Sequence, residues 1–146
     1  MRVLGLDLGA RRIGLAVSDT AGEMAFPAGA LERTTPARDL EVLLALIQER
    51  EVVRVVVGLP LHMDGRVGPE AEAARVFASV LADAAKLPVD TLDERWTTRE
   101  AERALRETGL RKHGKRGKKA KGRVDAAAAT IILRTYLQQR AAESLD

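Results

Sequence analysis

The chain has 146 residues, of which 46% are hydrophobic and 31% are charged. This length and composition predict one folded domain and exclude a largely disordered chain. The sequence has no cysteine, which excludes disulfides, thiolate metal ligands and cysteine nucleophiles. No hydrophobic run approaches the roughly 20 residues of a membrane span. The first residues carry no signal-peptide pattern, so the expected location is the cytoplasm.

The net charge of +3 hides a strong asymmetry along the chain. Residues 110–123, here called the basic segment, hold eight lysines and arginines and no acidic residue, whereas the remaining 16 basic and 21 acidic residues leave a net charge of −5. Such a block is typical of a segment that binds an anionic polymer, although a solvated surface loop can have the same composition. Its three glycines predict a mobile loop.

The first half of the chain predicts three strands and a helix. Residues 2–8 and 13–19 are predicted strands joined by a tight hairpin turn. Residues 24–31 predict a third strand, which lies at an edge or carries a bulge because it contains a proline. Leucines at helical spacing and an initial proline predict a helix over 36–50, with Thr35 as its N-cap.

The second half predicts alternating strands and helices. In order, these are a strand at 52–58, a loop at 59–67, a helix at 69–86, a strand at 89–94, a helix from Thr97 or Thr98 to about Glu107, and a helix at 124–139. The β-branched run that begins this half is typical of a strand buried on both faces. A meander followed by this alternation predicts a mixed five-stranded sheet flanked by helices, in a single α/β domain.

Asp7 is the first residue that suggests chemistry. It lies inside a predicted strand whose neighbours are apolar, where a carboxylate is unfavourable by several kcal/mol unless it is paired, hydrogen-bonded or bound to a metal. The structural alternative is an acid at a strand end that accepts hydrogen bonds from the turn. We expect a functional carboxylate.

Two further acidic positions fall where sites usually form in α/β proteins. Asp93 and Glu94 end a predicted strand, and Asp125 precedes four alanines that begin a helix able to lie close to the sheet. Each can also be explained as an acid at a helix N-terminus. Because adjacent residues of a strand face opposite ways, only one of Asp93 and Glu94 is expected at a given site, and the residues alone do not say which.

Three carboxylates without cysteine or paired histidines predict a hard-oxygen metal site. Such ligands suit Mg²⁺ or Mn²⁺, and one or two of these ions can activate water for phosphodiester cleavage. The histidines, His62 in a loop and His113 in the basic segment, are not spaced as a zinc pair. A polar contact near the site is the functional alternative for His62, and an exposed loop position is the structural one.

Four blocks of the sequence resemble the conserved blocks of the YqgF/RuvX family. They read VLGLDLGARRIGLAVSD, VVVGLPLHMDGR, LDERWTTREAE and GRVDAAAATIIL, in the family's order and spacing. These bacterial proteins are described as Holliday-junction resolvases or as nucleases that process the 5′ end of pre-16S ribosomal RNA. The second block departs from the family pattern, because His62 stands where asparagine is usual.

The resemblance implies an RNase H-like fold and a metal-dependent endonuclease. It places Asp7, Asp125 and the acid of the DER block in the active site, and for that acid it favours Glu94 over Asp93. Asp93 and Thr97 of the same block, with His62, are expected as accessory residues. Cleavage would use a water activated with the help of the metal and leave a 5′-phosphate and a 3′-hydroxyl.

Basic residues are expected to bind the nucleic-acid backbone without reading its sequence. The expected contacts are Arg11, Arg12, Arg95, Lys115, Arg116, Lys118, Lys119 and Lys121. For Arg12 and Arg95, a structural salt bridge is an equal alternative.

Two other classes of protein compete with this interpretation. The Asp-x-Gly hairpin that begins at Asp7 also occurs in actin-like kinases and ATPases, but those enzymes clamp ATP between two domains. A non-catalytic nucleic-acid-binding module would use the basic segment, yet it does not require a buried Asp7. The residues do not distinguish pre-16S ribosomal RNA from branched DNA. A resolvase would normally act as a homodimer, for which the apolar face of the helix at 69–86 is a weak candidate.

Overall fold

The computed structural model describes residues 1–96 and 118–143, and the side chains of all of these except 96 and 118–124. The strands are β1 (Arg2–Leu8), β2 (Arg12–Ser18), β3 (Ala25–Glu32), β4 (Val52–Leu59) and β5 (Val89–Asp93). The helices are α1 (Pro36–Glu49), α2 (Pro69–Ala85) and α3 (Lys118–Glu143), with a single 3-10 turn at Glu94–Trp96. None of these helices has both the length and the hydropathy that a bilayer crossing requires.

The strands form one sheet in the order β3-β2-β1-β4-β5. The first three are antiparallel neighbours, whereas β4 and β5 run parallel to β1. The predicted mixed five-stranded sheet flanked by helices is therefore confirmed. The carboxyl ends of β1, β4 and β5 meet at one edge, which is where ligand sites form in parallel sheets.

The two faces of the sheet carry separate cores. One face packs against α1 and α2 through large aliphatic side chains, among them the fully buried Leu4, Leu6 and Val57. The other face packs against α3 and includes Ala16, Val56 and several strand glycines. Thus α3 alone, among the described helices, covers the face on which Asp7 lies.

Helix α1 begins as the sequence predicts. The Thr35 side chain accepts a hydrogen bond from the Arg38 amide at 3.1 Å, and Pro36 occupies the first turn, where its missing N–H costs nothing. Asp39 is buried but satisfied, because it accepts from the amide of Thr34 at 3.0 Å and lies 3.6 Å from the Arg33 guanidinium.

The outer strand β3 is both at an edge and bulged, as its proline predicts. Pro27 is aligned with Ala16 and Ala30 with Gly14, so β3 holds one residue more than β2 between these pairs. Gly29 lies in the extra stretch with a φ of +86°, a conformation that residues with a side chain rarely adopt.

Helix α3 starts earlier than predicted. The sequence predicts its start near residue 124 and a loop at 110–123, but the helix already begins at Lys118 and runs to Glu143. The reason is the high helix propensity of the Lys, Ala and Arg residues at 118–123, which outweighs the single Gly122. Residues 110–117 of the predicted loop, and the helix predicted from Thr97 or Thr98 to Glu107, lie outside the described residues.

The far half of α3 is anchored to the sheet by a polar cluster. The Tyr136 hydroxyl donates to Asp90 Oδ2, which also accepts from Arg54 Nη1 at 3.0 Å. Leu133 and Ile132 are buried in the sheet core beside it. These contacts fix α3 along its length, and so they fix the position of Asp125 in its N-terminal half.

Candidate active site

Asp7 lies between two glycines on the α3 face of the sheet. It is aligned with Gly14 on β2, and because Leu6 is aligned with Val57, its neighbour on β4 is Gly58. Side chains of laterally aligned residues point to the same face. Asp7 is thus flanked on both sides by positions that have no side chain.

These glycines make room for the other two carboxylate residues. A Cβ atom at Gly14 would lie 2.2 Å from the backbone oxygen of Asp125, and one at Gly58 would lie 3.0 Å from Glu94 Cδ. Real Cβ atoms do not approach backbone so closely, so Gly14 admits the turn of α3 that carries Asp125. Gly58 in the same way admits the Glu94 side chain.

Burial and like charge raise the pKa of Asp7. The ordinary value of 3.8 rises to about 6, first because burial penalises the charged form and second because the Asp125 carboxylate is near. A charged Asp7 is therefore unfavourable here in the absence of a cation.

Glu94 shows the same effect more strongly. It follows β5 in the 3-10 turn, and its pKa rises from 4.5 to about 7. The causes are burial, then the charge of Asp7, then the charge of Asp93. Asp7 thus interacts with a carboxylate on each side, namely Asp125 and Glu94.

Asp125 is subject to two opposing effects. Burial raises its pKa, while the positive charge of Arg12 lowers it. Arg12 also lies 3.4 Å from Glu32, measured from Nη2 to Oε1. Arg12 therefore makes the salt bridge that the sequence offered as one alternative, and its charge also acts on Asp125. Its expected contact with a nucleic-acid backbone stays a prediction.

The structure distinguishes Asp93 from Glu94. Both carboxylate oxygens of Asp93 accept from Arg95, with Oδ2 2.6 Å from Nη2 and 2.9 Å from Nε, and Asp93 Oδ1 also accepts from the Arg95 amide at 3.0 Å. The Arg95 guanidinium accordingly lowers the pKa of Asp93. Asp93 therefore forms an ion pair with Arg95, whereas the Glu94 carboxylate interacts electrostatically with Asp7.

Arg95 also ties the loop after β4 to the site. Its Nη1 donates to the backbone oxygen of Met63 at 3.3 Å, and it lies 3.3 Å from where a Cβ atom at Gly65 would be. Gly65 has a φ of +90°, which favours glycine. Arg95 is therefore at least in part a structural residue, as the salt-bridge alternative predicts.

The remaining predicted residues lie in four different places. His62 is exposed, and its ring packs against Gly68 at the start of α2. Arg11 is exposed in the turn before β2 and accepts from the Arg33 amide through its backbone oxygen at 2.8 Å. Lys118, Lys119 and Lys121 lie in the first turns of α3. Thr97, Lys115 and Arg116 lie outside the described residues.

The three carboxylates do not form a ready-made metal cluster. In residues 1–96 and 118–143, no three His, Asp or Glu side chains converge closely enough to hold an ion together. The donor chemistry nevertheless fits a hard divalent cation. All three side chains are carboxylates, and the raised pKa values of Asp7 and Glu94 come first from burial and then from neighbouring carboxylate charge, both of which a bound cation would offset.

The predictions from the sequence did not include Gly14 and Gly58. The signal was present, since an isolated glycine inside a β-branched or apolar strand often marks a place where backbone or a ligand comes close. Reading those glycines together with Asp7 would have indicated the side of the sheet that α3 covers.

Comparison with known proteins agrees with this architecture. A family model described as RuvX, Holliday junction resolvase, matches residues 1–139. The chain belongs to the RuvX family. It is 46% identical over 137 residues to a protein of Halothermothrix orenii named "Putative pre-16S rRNA nuclease", with 94% of each chain covered. A protein of the same name from Anaeromyxobacter sp. is 46% identical over 140 residues, covering 96% of this chain and 98% of its own.

Solved structures of resolvases share the fold. Thermus thermophilus RuvC in complex with a Holliday junction superposes with a TM-score of 0.60 at 19% identity, covering 97% of this chain and 96% of RuvC. The fowlpox virus resolvase in complex with junction DNA gives a TM-score of 0.57 at 9% identity, covering 95% and 98%. At these identities the likeness establishes the RNase H-like fold of this chain and nothing finer.

Proposed function

We propose that this RuvX-family protein is a divalent-metal-dependent endonuclease in which Asp7, Glu94 and Asp125 form the catalytic site. The observation that carries the proposal is the placement of Asp7 between two glycines, with Asp125 and Glu94 on either side. A purely structural acid would not require its neighbouring strands to give up their side chains. The family match and the relatives named as nucleases support the same reaction class.

Each residue of the proposed site has a role that follows from its position in the fold. Asp7 is fixed on the central strand β1, so it defines the point toward which the scissile phosphate must be brought. Glu94 and Asp125 approach from the end of β5 and from α3. The Asp93–Arg95 ion pair holds the 3-10 turn, so it orients Glu94 without itself facing Asp7.

The carboxylates would hold Mg²⁺ or Mn²⁺, as one or two ions. When bound, such an ion supplies Lewis acidity that lowers the pKa of water and offsets the charge of the phosphate. Without it, three acidic residues would repel the nucleic-acid backbone. Arg12, whose charge acts on Asp125, and the basic residues at the start of α3 would contribute attraction to the phosphates.

We propose a structured RNA, of the pre-16S type, as the substrate. Relatives that share 42–46% identity over nearly the whole chain carry the name "Putative pre-16S rRNA nuclease". The resolvases of known structure share only the fold with this chain. Branched DNA is the alternative substrate, and cleavage of a ribosomal precursor would place the protein in the cytoplasm.

The test is a cleavage assay on matched substrates. A pre-16S RNA fragment, a four-way DNA junction and a linear duplex are each incubated with Mg²⁺, with Mn²⁺ and with chelator. We expect metal-dependent cutting of the RNA, and we expect Asp7→Asn and Glu94→Gln each to lose at least about 100-fold in rate while binding the RNA. Asp93→Asn is the matched control beside Glu94, and it should lose less than about 10-fold.

Each other result has a definite meaning. Paired cuts confined to the junction would replace the RNA by branched DNA as the substrate. Binding that survives chelation, with no cleavage of any substrate under either metal, would overturn the enzyme assignment in favour of a nucleic-acid-binding module. Equal losses in Asp93→Asn and Glu94→Gln would contradict the separate roles of these two acids.

A further inference from the structure

Helix α2 has a second apolar stripe, on the side that faces away from the sheet. Its buried side consists of Ala71, Ala74, Ala78 and Leu81. On the opposite side, Ala73, Val76, Val80 and Ala84 recur at intervals of three or four residues and are exposed. Val76 retains 55% and Val80 retains 46% of its accessible surface. An amphipathic surface helix needs only one apolar stripe, and within residues 1–96 and 118–143 the outer stripe is not part of either core cluster.

The charges beside this stripe are arranged symmetrically about Ser79. Arg75 lies four residues before Ser79 and Asp83 four residues after it. Glu72 lies seven residues before and Lys86, the C-cap, seven residues after. Each pair has opposite charges. At 100° per residue Glu72, Arg75 and Asp83 lie along the same flank of the stripe, where Arg75 Nη1 lies 3.7 Å from Glu72 Oε2, and Lys86 follows as the C-cap in the left-handed conformation.

This symmetry matches an antiparallel copy of the same helix. If a two-fold axis passes at Ser79, residues equally far before and after it meet across the axis. Arg75 then meets the partner's Asp83, and Glu72 meets the partner's Lys86, each pair occurring twice. Residues on the same flank face each other when two helices pack antiparallel, so the charges are on the side where they can pair.

The apolar residues fit the same axis. Along the helix axis, the partner's Val80 lies level with residue 78, between Val76 and Val80 of this helix. The partner's Val76 lies level with residue 82, just beyond Val80. The alanines at both ends of the stripe allow the helix backbones to approach closely. A single axis position therefore satisfies both the charge pairing and the packing of side chains into gaps.

We propose that two copies of the chain associate through the outer faces of their α2 helices, antiparallel and centred on Ser79. The proposal does not depend on the nuclease assignment. Helix α2 covers the sheet face opposite to α3, so the paired surface contains none of Asp7, Glu94 and Asp125. One helix pair buries less than the roughly 1,200 Å² typical of stable complexes, so we expect a weak dimer that depends on concentration.

The experiment measures the mass of the full chain by sedimentation between about 5 and 500 μM. We expect a reversible shift from the 15.8-kDa monomer to twice that mass. Val80→Glu should weaken association at least 10-fold. Val53→Glu is the matched control, because Val53 is an exposed valine on β4 that lies with Leu137 and Arg140 of α3, and this variant should dimerise like the wild type. Circular dichroism checks that each variant is folded.

A charge exchange tests the register itself. Arg75→Glu alone and Asp83→Arg alone each place like charges together twice, so each variant should be monomeric. A mixture of these two variants restores opposite charges at both contacts, and we expect a 1:1 heterodimer. A wild type that stays monomeric at 500 μM would overturn the proposal. A dimer that survives Val80→Glu, or a mixture that fails to associate while the wild type dimerises, would also contradict it.

Discussion

The two faces of the sheet are filled in different ways. The face under α1 and α2 is packed with fully buried aliphatic side chains such as Leu4, Leu43 and Val57. On the face under α3, Gly5, Gly14 and Gly58 leave out side chains, and a Cβ atom at Gly5 would lie 2.8 Å from Leu133 Cβ. The first face provides stability through volume, whereas the second brings a helix close enough to place charged groups beside the strands.

This comparison predicts that stability and cleavage can be separated by mutation. The largest effect on stability is expected on the aliphatic face. Leu43→Ala removes a fully buried side chain of α1 and should lower the free energy of unfolding by about 2–5 kcal/mol. Because Leu43 is on the opposite face from Asp7, the cleavage rate of the folded protein at low temperature should change less than about 3-fold. Denaturant titration and a cleavage assay at 15 °C measure the two quantities.

The second prediction concerns the α3 face, where a mutation should reduce the cleavage rate much more than the stability. Gly14→Ala forces a methyl group against the backbone oxygen of Asp125, so α3 must shift. Overpacking of this kind costs about 1–3 kcal/mol, while the misplaced Asp125 should reduce cleavage by about 100-fold. Gly14→Ala would then lose far more activity than Leu43→Ala for a comparable loss of stability. If the two variants lost activity in proportion to stability, the division between the faces would be wrong.

The third prediction concerns the smallest effect, and it is a gain in stability rather than a loss. The pKa of Asp7 is about 6 in the folded protein and 3.8 ordinarily, so the folded state binds more protons between these values. The contribution of Asp7 to the free energy of unfolding therefore falls as pH rises from about 4 to about 6. At neutral pH the charge of Asp7 is destabilising. Asp7→Asn in chelator should thus be more stable than the wild type by about 1–2 kcal/mol at pH 8.

The pH profile and a matched buried acid test this third prediction. The advantage of Asp7→Asn should shrink as pH falls from 8 to 4, as followed by thermal unfolding in chelator. Asp39→Asn is the control, because Asp39 is buried but held by Thr34 and Arg33. That variant should lose stability at pH 8. A loss of stability in Asp7→Asn at pH 8 would show that the Asp7 charge is already compensated within the metal-free chain.

Much of the fold follows from local sequence pattern. The β-branched run at 52–58 predicts a strand buried on both faces, and β4 is the inner parallel strand between β1 and β5. Thr35 and Pro36 predict the start of α1, because capping depends on the residues at the helix end themselves. The proline of β3 predicts its edge position and its bulge for the same local reason.

The site is only partly predictable, because it depends on distant contacts. The proposal of Glu94 over Asp93 rests on the position of the Arg95 guanidinium beside Asp93, a side-chain conformation that strand alternation does not specify. The resemblance to the family favoured Glu94 without giving that reason. The start of α3 was predicted wrongly, because glycines and charge were weighted above the helix propensity of lysine, alanine and arginine.

The irregular β3 strand has a consequence for solubility. An exposed sheet edge is a template for aggregation, since its free N–H and C=O groups can pair with another strand. Pro27 has no N–H to donate, and the extra residue with Gly29 at φ +86° breaks the regular spacing that an added strand would need. The β3 edge is therefore a poor template for aggregation by edge-to-edge strand pairing.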